Sequence, residues 1–495
     1  MLLGSLVEEA MRIEDILQVV QSHTVREGRP AEVTGVACDS RRVKPGTLFV
    51  AIPGSREDGS RYVEDALRRG ASAIVAQSNI PVPRDTSFIG VEDAHRALAE
   101  ISCAFYGHPS SRIPVVGITG TNGKTTTSFM LRDILRAAGR RPGLIGTVEY
   151  EIGERRIPAG RTTPEAPEIQ YMLDAMIHED CGGAVMEVSS HALDQKRVWG
   201  VDFDVAVFTN LTQDHLDYHG TMDRYFAAKS LLFQGLGRME KSATAVINID
   251  DPWGQALAQM GGAYETITYG LHEAAMVQAT EIECGPDGSA FELMSPWGAT
   301  AIRLPVVGRY NVHNALAALA AGGAMAIPLD VMVPALQSFQ PAPGRMEPVP
   351  HHGGFRVLID YAHTPDALAH AVATLREVTE QRLIVVFGCG GDRDRGKRPR
   401  MAAAAAAEAD HVIVTSDNPR SEDPAVIARD IEAGFPSGAH HETELDRETA
   451  IARALRMARP GDVVLIAGKG HETYQEFQRT IVPFDDREIA RKHLA

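Results

Sequence analysis

Lys124 has the clearest chemistry in this chain, in the run Val115-Val-Gly-Ile-Thr-Gly-Thr-Asn-Gly-Lys-Thr-Thr-Thr127. The apolar stretch from Ile113 to Ile118 breaks into small residues and then into Gly123-Lys124-Thr125, which reads as strand, tight loop and the start of a helix over 125–138. Such a loop turns consecutive backbone N–H groups toward one point, and the helix adds its positive N-terminal end. Lys124 would then reach the outer phosphates of a nucleoside triphosphate while a threonine hydroxyl holds Mg²⁺. The spacing is not the usual G-x-x-x-x-G-K-[ST], because Ile118 occupies the first glycine position and Gly117 and Gly120 stand beside it. A Gly/Thr-rich turn that merely contains a lysine is the plainer alternative. The strand before and the helix after favour phosphate binding.

Other reactive side chains fall at the ends of apolar runs. Glu187 closes the run 183–188 and precedes Ser189-Ser190-His191. Loops at the carboxyl ends of parallel strands line the ligand crevice, so Glu187 is placed to offer a hard oxygen to Mg²⁺; capping a helix is its alternative role. The segment 209–220 packs Asp214, His215, Asp217 and His219 together, which suits metal binding, proton handling or a solvated loop equally. Lys229 is the one lysine of an amphipathic helix over 225–233 and reads by itself as a surface charge. Further on, Asp417-Asn418-Pro419-Arg420, the Gly390 to Lys397 loop with Arg393, and Gly468-Lys-Gly-His-Glu472 each follow a strand. Arg420 offers a planar fork for a carboxylate or phosphate. The three loops together suggest one composite site for a zwitterionic ligand.

These loops need an α/β framework to position them. At 495 residues the chain has room for about three domains. Apolar runs at 48–52 and 73–76, with a helix over 62–69 between them, indicate a first α/β unit over 1–112. Runs at 183–188, 205–208 and 243–248 continue the phosphate-loop unit over 113–342 as a mostly parallel sheet. Runs at 357–360, 382–387, 411–415 and 462–467, with an alanine-rich helix over 401–409, indicate a Rossmann-like third unit over 343–495. The polar, proline-rich segment 108–114 and Pro341 to Gly344 read as linkers.

Composition narrows the partners. A formal net charge of −16 argues against a general nucleic-acid or anionic-membrane binder. The 5 cysteines are scattered without a C-x-x-C pair, as in reduced cytosolic proteins. The opening residues lack the basic start of a signal peptide, with Glu8 and Glu9 following at once. No apolar run approaches the ~18 residues of a membrane span. A cytoplasmic monomer acting on small molecules is the expectation.

Taken together, Gly120-Thr121-Asn122-Gly123-Lys124-Thr125-Thr126 and the runs Met186 to His191, Asn210 to His219, Tyr225 to Lys229, Gly308 to Asn314, Gly344 to Glu347 and Asp360 to His363 resemble the Mur ligases of peptidoglycan synthesis. The ordered matches extend from about residue 36 to about residue 488. With Asp39-Ser40-Arg41, Thr162-Thr163-Pro164 and the Asp417 to Arg420 loop, the chain is most similar to members that join meso-diaminopimelate to UDP-N-acetylmuramoyl-L-alanyl-D-glutamate. The resemblance implies that Ser40 lies near the uridine diphosphate and that Thr162, Thr163, Ser189, Gln195 and Arg197 bind the muramoyl-dipeptide. It implies that Gly120 to Thr126 cradle ATP, that Asn311 and Asn314 contact adenine, and that Arg345 and Asp360 complete the nucleotide site. Thr125 and Glu187 would hold one Mg²⁺; Lys229, carbamylated in the family, and His215 would hold a second, which replaces the surface reading of Lys229. Lys124, Lys229 and His215 would be the catalytic set, with His215 and His363 as candidates for the base that deprotonates the amine. Arg393, Asp417, Asn418, Pro419, Arg420, Gly468 and Glu472 would read the incoming amino acid, with Arg420 on its distal carboxylate.

Overall fold

The computed structural model describes residues 10–26, 28, 32–54, 57–77, 80–239, 241–478 and 480–494. The opening stretch through Glu9, read above as no leader, lies outside these residues. Among the described residues no helix is long and apolar enough to cross a membrane.

Three mostly parallel sheets dominate. The central one has 11 strands. Its middle runs, in spatial order, Pro142–Ile145, Gly183–Glu187, Val115–Thr119, Val205–Phe208, Thr244–Asn248 and Glu265–Gly270, all parallel. Val115–Thr119, Gly183–Glu187 and Val205–Phe208 are buried at every residue, because helices cover both faces and no alternation of polar side chains is needed. Val115–Thr119 is flanked by the other two, so three neighbouring strand ends deliver their loops to one spot. The helices Lys124–Ala137 and Arg309–Ala324 pack on one face.

The first sheet has Gly35–Ala37, Thr47–Ala51, Ala73–Ala76 and Ser87–Val91 in parallel, with Ser22–Arg26 antiparallel at its edge. The apolar side chains of one of its faces share a core with the central unit, running from Ile13 to Leu257, while Phe49, Ile74 and Phe88 on the other face pack in a separate cluster. The third sheet is ordered Glu347–Pro348, Arg356–Asp360, Val463–Ala467, Leu383–Phe387, His411–Val414, His441–Thr443, and only its first strand is antiparallel.

The expected strands are present with ends moved by a residue or so, as hydrogen bonding rather than apolarity defines them. The helix expected over 401–409 runs instead over Lys397–Ala406, since Pro399 is tolerated in a first turn, where its missing N–H has no intrahelical role. The expected linker 108–114 is packed rather than free: Ser110 is buried and its hydroxyl accepts the Asp202 N–H at 3.0 Å. Sequence reading also passed over the antiparallel extension Val277–Gly285, Gly288–Ser295 and Gly298–Leu304. Its signals in the sequence are the Pro286-Asp287-Gly288 turn and the alternation Phe291-Glu292-Leu293, matched in the structure by alternating burial along Gly288–Ser295.

One buried ion pair organises the third unit. Arg447 and Asp486 are both fully buried, joined at 2.8 and 2.7 Å. The same guanidinium donates to the carbonyls of Ser416 at 3.3 Å and Ala467 at 3.0 Å, the bases of two strand-end loops. Asp486 begins the C-terminal helix Asp486–Leu494, so helix and loops share one clamp. Breaking a buried pair from one side leaves a charge uncompensated, whereas replacing both with apolar groups removes that cost. Arg447→Ala is therefore expected to destabilise the fold by about 3–5 kcal/mol. The pair Arg447→Met with Asp486→Leu should lose markedly less; chemical denaturation of both variants measures the difference.

Candidate active site

The phosphate loop keeps the shape its glycines permit. Gly123 sits at φ 86° before the helix Lys124–Ala137, and a Cβ there would lie 2.3 Å from Asn314 Oδ1. At Gly120 a Cβ would meet Thr209 Oγ1 at 1.8 Å, so both positions need glycine for close approach as well as for backbone conformation. The loop is tied to its neighbour: Thr121 N donates to Asn210 O at 2.9 Å, Asn122 N to Asn210 Oδ1 at 2.9 Å, and Thr209 Oγ1 to Asn122 O at 2.6 Å. Lys124 Nζ folds back on Gly120 O and Thr121 O, each at 2.9 Å. Burial pulls its pKa down; Glu187 opposes this and Arg345 adds to it. Thr126 follows on the first helical turn.

Glu187 joins two halves of the site. Its carboxylate is wholly buried and accepts from Thr125 Oγ1, Thr147 N and Thr147 Oγ1, each at 2.9 Å. Its backbone carbonyl accepts from Thr163 Oγ1 at 2.8 Å. Thr163 Oγ1 in turn accepts from Ser189 N at 3.0 Å, and Thr162 Oγ1 stands 3.1 Å from Thr147 Oγ1. Arg197 donates to Thr163 O at 3.0 Å and to Gln195 Oε1 at 2.6 Å. Thr162, Thr163, Ser189, Gln195 and Arg197 thus form one polar ridge beside the phosphate loop. Ser40 is buried in the 3₁₀ turn Ser40–Arg42 of the first unit, whose Arg42 pairs with Glu168 of the central one.

Lys229, read from spacing alone as a surface charge, is 2% exposed. Its Nζ donates to Gly120 O at 2.8 Å and lies 4.7 Å from the centre of the Tyr225 ring. Burial, then repulsion from Lys124, holds its pKa well below that of a free lysine. His215 begins the short helix Leu216–His219 at φ 54° and packs edge-on to His191 at 4.8 Å. Burial lowers its pKa to about 4, helped by His191, Lys124 and Lys229 against Asp214, so the ring is a neutral donor at pH 7. Thr125 and Glu187 already present two hard oxygens 2.9 Å apart, a donor set that fits Mg²⁺. An amine does not fit it; Lys229 suits a cation only after gaining a carboxylate.

Asn311 and Asn314 lie buried behind the loop with their amides engaged internally: Asn311 donates to Val307 O at 2.9 Å and Asn314 to Asn311 Oδ1 at 3.1 Å. From across the joint, Arg345 donates to Thr125 Oγ1 at 3.4 Å and stacks 4.9 Å over Tyr361. Asp360 accepts the Met346 and Ala362 N–H groups, each at 2.8 Å. Its burial raises its pKa against the pull of Arg345.

In the third unit, Asn418 donates to Glu472 Oε2 at 2.9 Å. Arg420, in left-handed backbone conformation, donates through Nε to Glu476 Oε2 at 3.0 Å and through one terminal nitrogen to Gly391 O at 2.8 Å. Glu476 is therefore the counter-charge of Arg420 within the protein. Gly468, at φ 111°, lets Asp417 approach: a Cβ would lie 2.9 Å from Asp417 Oδ2. Pro419 gives its carbonyl side to Gly391, where a Cβ would fall 1.9 Å from Pro419 O. Arg393 is exposed, with its contact to Asp392 O at 3.2 Å.

Three supporting residues escaped sequence reading. Thr147 fixes Glu187, and its signal was its place just after the strand Pro142–Ile145. Asp366 crosses from the third unit to Thr212 at 2.9 Å and Asn122 at 3.4 Å. Lys469, inside a loop already singled out, is wholly buried.

Comparison with known proteins agrees with this geometry. Family models match at residues 32–106 (Mur ligase family, catalytic domain), 118–322 (Mur ligase middle domain) and 344–470 (Mur ligase, glutamate ligase domain). The UDP-N-acetylmuramoyl-L-alanyl-D-glutamate–2,6-diaminopimelate ligase of Geobacillus thermodenitrificans is 48% identical over 97% of this chain and 99% of its own. A solved structure of a ligase with that name is 33% identical, with a TM-score of 0.69 over 98% of this chain and 99% of its own. The MurF ligase from Thermotoga maritima in complex with ADP, 20% identical, shares the fold at a TM-score of 0.61 over 93% of this chain and 96% of that one. With three family models matched in order along the chain and 48% identity to one member over nearly its full length, the chain belongs to the Mur ligase family.

Proposed function

We propose that this protein is the ATP-dependent ligase that joins meso-2,6-diaminopimelate to the D-glutamate of UDP-N-acetylmuramoyl-L-alanyl-D-glutamate in peptidoglycan precursor synthesis. The observation that carries the reading is Glu187, whose carboxylate faces Thr125 of the phosphate loop while its carbonyl holds Thr163 of the acceptor ridge. Phosphoryl donor and carboxylate acceptor would thus meet across one residue.

The chemistry follows from charge. A carboxylate is a poor electrophile, so its oxygen first attacks the γ-phosphorus of ATP, releasing ADP and forming an acyl phosphate. The amine of diaminopimelate then attacks the acyl carbon; the tetrahedral intermediate expels phosphate and the amine loses a proton. Lys124 would leave the carbonyls of Gly120 and Thr121 for the transferring phosphoryl group, countering its developing charge. Thr125 and Glu187 would hold one Mg²⁺, and carbamylated Lys229 with His215 a second; these ions neutralise phosphate charge. The depressed pKa of Lys229 supports carbamylation, since only a neutral amine takes up CO₂. Neutral His215 remains available to bind metal or take the amine proton, with His363 the alternative base.

The other assignments are part of the same reading. Segment 1–112 would hold the uridine diphosphate near Ser40, 113–342 would hold ATP with Asn311 and Asn314 toward adenine and Arg345 and Asp360 closing the site, and 343–495 would hold the amino acid. There Arg393, Asp417, Asn418, Pro419, Arg420, Gly468 and Glu472 would surround diaminopimelate, with Arg420 exchanging part of its contact to Glu476 for the distal carboxylate. The protein would act in the cytoplasm, as a monomer, where the nucleotide-linked substrate is available.

Phosphate release with ATP, Mg²⁺ and UDP-N-acetylmuramoyl-L-alanyl-D-glutamate tests the reading directly. Turnover should strongly favour meso-diaminopimelate over L-lysine; equal turnover would remove the role given to Arg420. Lys229→Ala should lose nearly all activity and regain part of it with added short carboxylic acids. Full activity of that variant without them would refute a carbamate at this position.

A further inference from the structure

Lys469 carries a full charge into a place that water does not reach. It is 0% exposed, and its Nζ donates to Asn418 Oδ1 at 3.2 Å and Glu472 Oε2 at 3.1 Å. The Tyr474 ring lies 5.4 Å from the same nitrogen. These neighbours surround the ammonium, so it has no open side for a substrate. A buried ion pair contributes little net stability, because desolvation offsets most of the attraction. What the pair does fix is direction.

Asn418 Oδ1 receives two donors, Lys469 Nζ and the Glu476 N–H at 3.1 Å. Turning the amide over would set an NH₂ group against both, so the oxygen must face inward. The Nδ2 group then faces the other way and spends one N–H on Glu472 Oε2 at 2.9 Å. Its second N–H and Glu472 Oε1 carry no protein partner among the described residues. One donor on Asn418 and one anionic acceptor on Glu472 are thus left over, on two residues already joined by a hydrogen bond.

We infer that Lys469 is the positioning residue that sets the polarity of the amino-acid site, holding Asn418 with its N–H outward toward a carboxylate and Glu472 with Oε1 outward toward an ammonium. This rests on the ligase reading above and adds to it the reason why a zwitterionic side-chain terminus is accepted in one orientation. Without the ammonium, only the Glu476 N–H still holds the Asn418 oxygen inward, so the amide is less firmly fixed against turning its oxygen to the ligand carboxylate, and Glu472 loses its counter-charge.

Steady-state kinetics on the intact enzyme tests this. Lys469→Met should raise KM for meso-diaminopimelate by about tenfold or more, the factor that one misdirected buried hydrogen bond removes. KM for ATP and for the UDP-linked dipeptide should move by less than about twofold, and preference over L-lysine should narrow. Lys469→Gln, which keeps an N–H for Asn418 Oδ1, should recover part of the loss. Asn418→Asp, which retains the inward oxygen but replaces the outward N–H by an acceptor, should raise the same KM. Adding Lys469→Met to it should cause little further increase, because both act through one amide. An unmoved KM for meso-diaminopimelate in folded Lys469→Met overturns the inference, as do independent, multiplying effects in the double variant. If Lys469→Met does not fold, an unmoved KM in Asn418→Asp overturns it. A wild-type protein inert to meso-diaminopimelate instead overturns the ligase reading itself.

Discussion

A carboxylate without water is costly unless donors replace the lost solvation, and Glu187 has three of them at 2.9 Å from Thr125 and Thr147. That requirement governs much of the molecule. It needs the strand Gly183–Glu187 beside Val115–Thr119, so that the first helical turn after the phosphate loop comes within reach. It needs Pro142–Ile145 on the other side, so that Thr147 can approach from the next loop. The backbone carbonyl of the same residue then orders Thr163 and, through it, Ser189 and Arg197. The loop 120–126 and the polar ridge of Thr162, Thr163, Ser189, Gln195 and Arg197 are therefore held in register by hydrogen bonds to one side chain and its own peptide.

Around this centre the charge balance is deliberately incomplete. Lys124 and Lys229 both donate to Gly120 O, and burial depresses the basicity of both. Repulsion from Lys124 in a medium of low dielectric adds to burial in disfavouring a charge on Lys229. Incoming phosphate oxygens would relieve that repulsion, and a carboxylate built on Lys229 would reverse its sign. His215 belongs to the same balance, since the two lysines help to keep its ring neutral.

The third unit solves a related problem with paired charges. Arg447 and Asp486 neutralise each other inside and hold two loop bases, while Lys469 neutralises Glu472 beside Asn418. Arg420 rests on Glu476. Each of these three cations thus has a carboxylate partner within the protein. Contacts from Arg345 to Thr125 and from Asp366 to Thr212 connect this unit to the central one.

Much of this was legible in the chain itself. Buried parallel strands announce themselves as short apolar runs, and the chemistry-bearing loops follow them at their carboxyl ends, so the α/β class, the phosphate loop, Glu187 and the Asp417 to Arg420 loop could be placed from local sequence. Antiparallel strands at 277–304 were harder, because an alternating, half-exposed pattern competes poorly with stronger apolar runs. Lys229 marks the limit more clearly: its spacing on an amphipathic helix is that of a solvated lysine, and only packing of that helix under Gly120 buries the ammonium. The pairing of Arg420 with Glu476, the clamp of Arg447 on Ser416 and Ala467, and the contact of Lys469 with Asn418 likewise join residues 20 to 56 positions apart. Sequence determined which groups are present and which strand end carries them, since both depend on local hydrophobicity and chain order. Tertiary structure alone decided which charges meet, because electrostatic partners are chosen by distance in space.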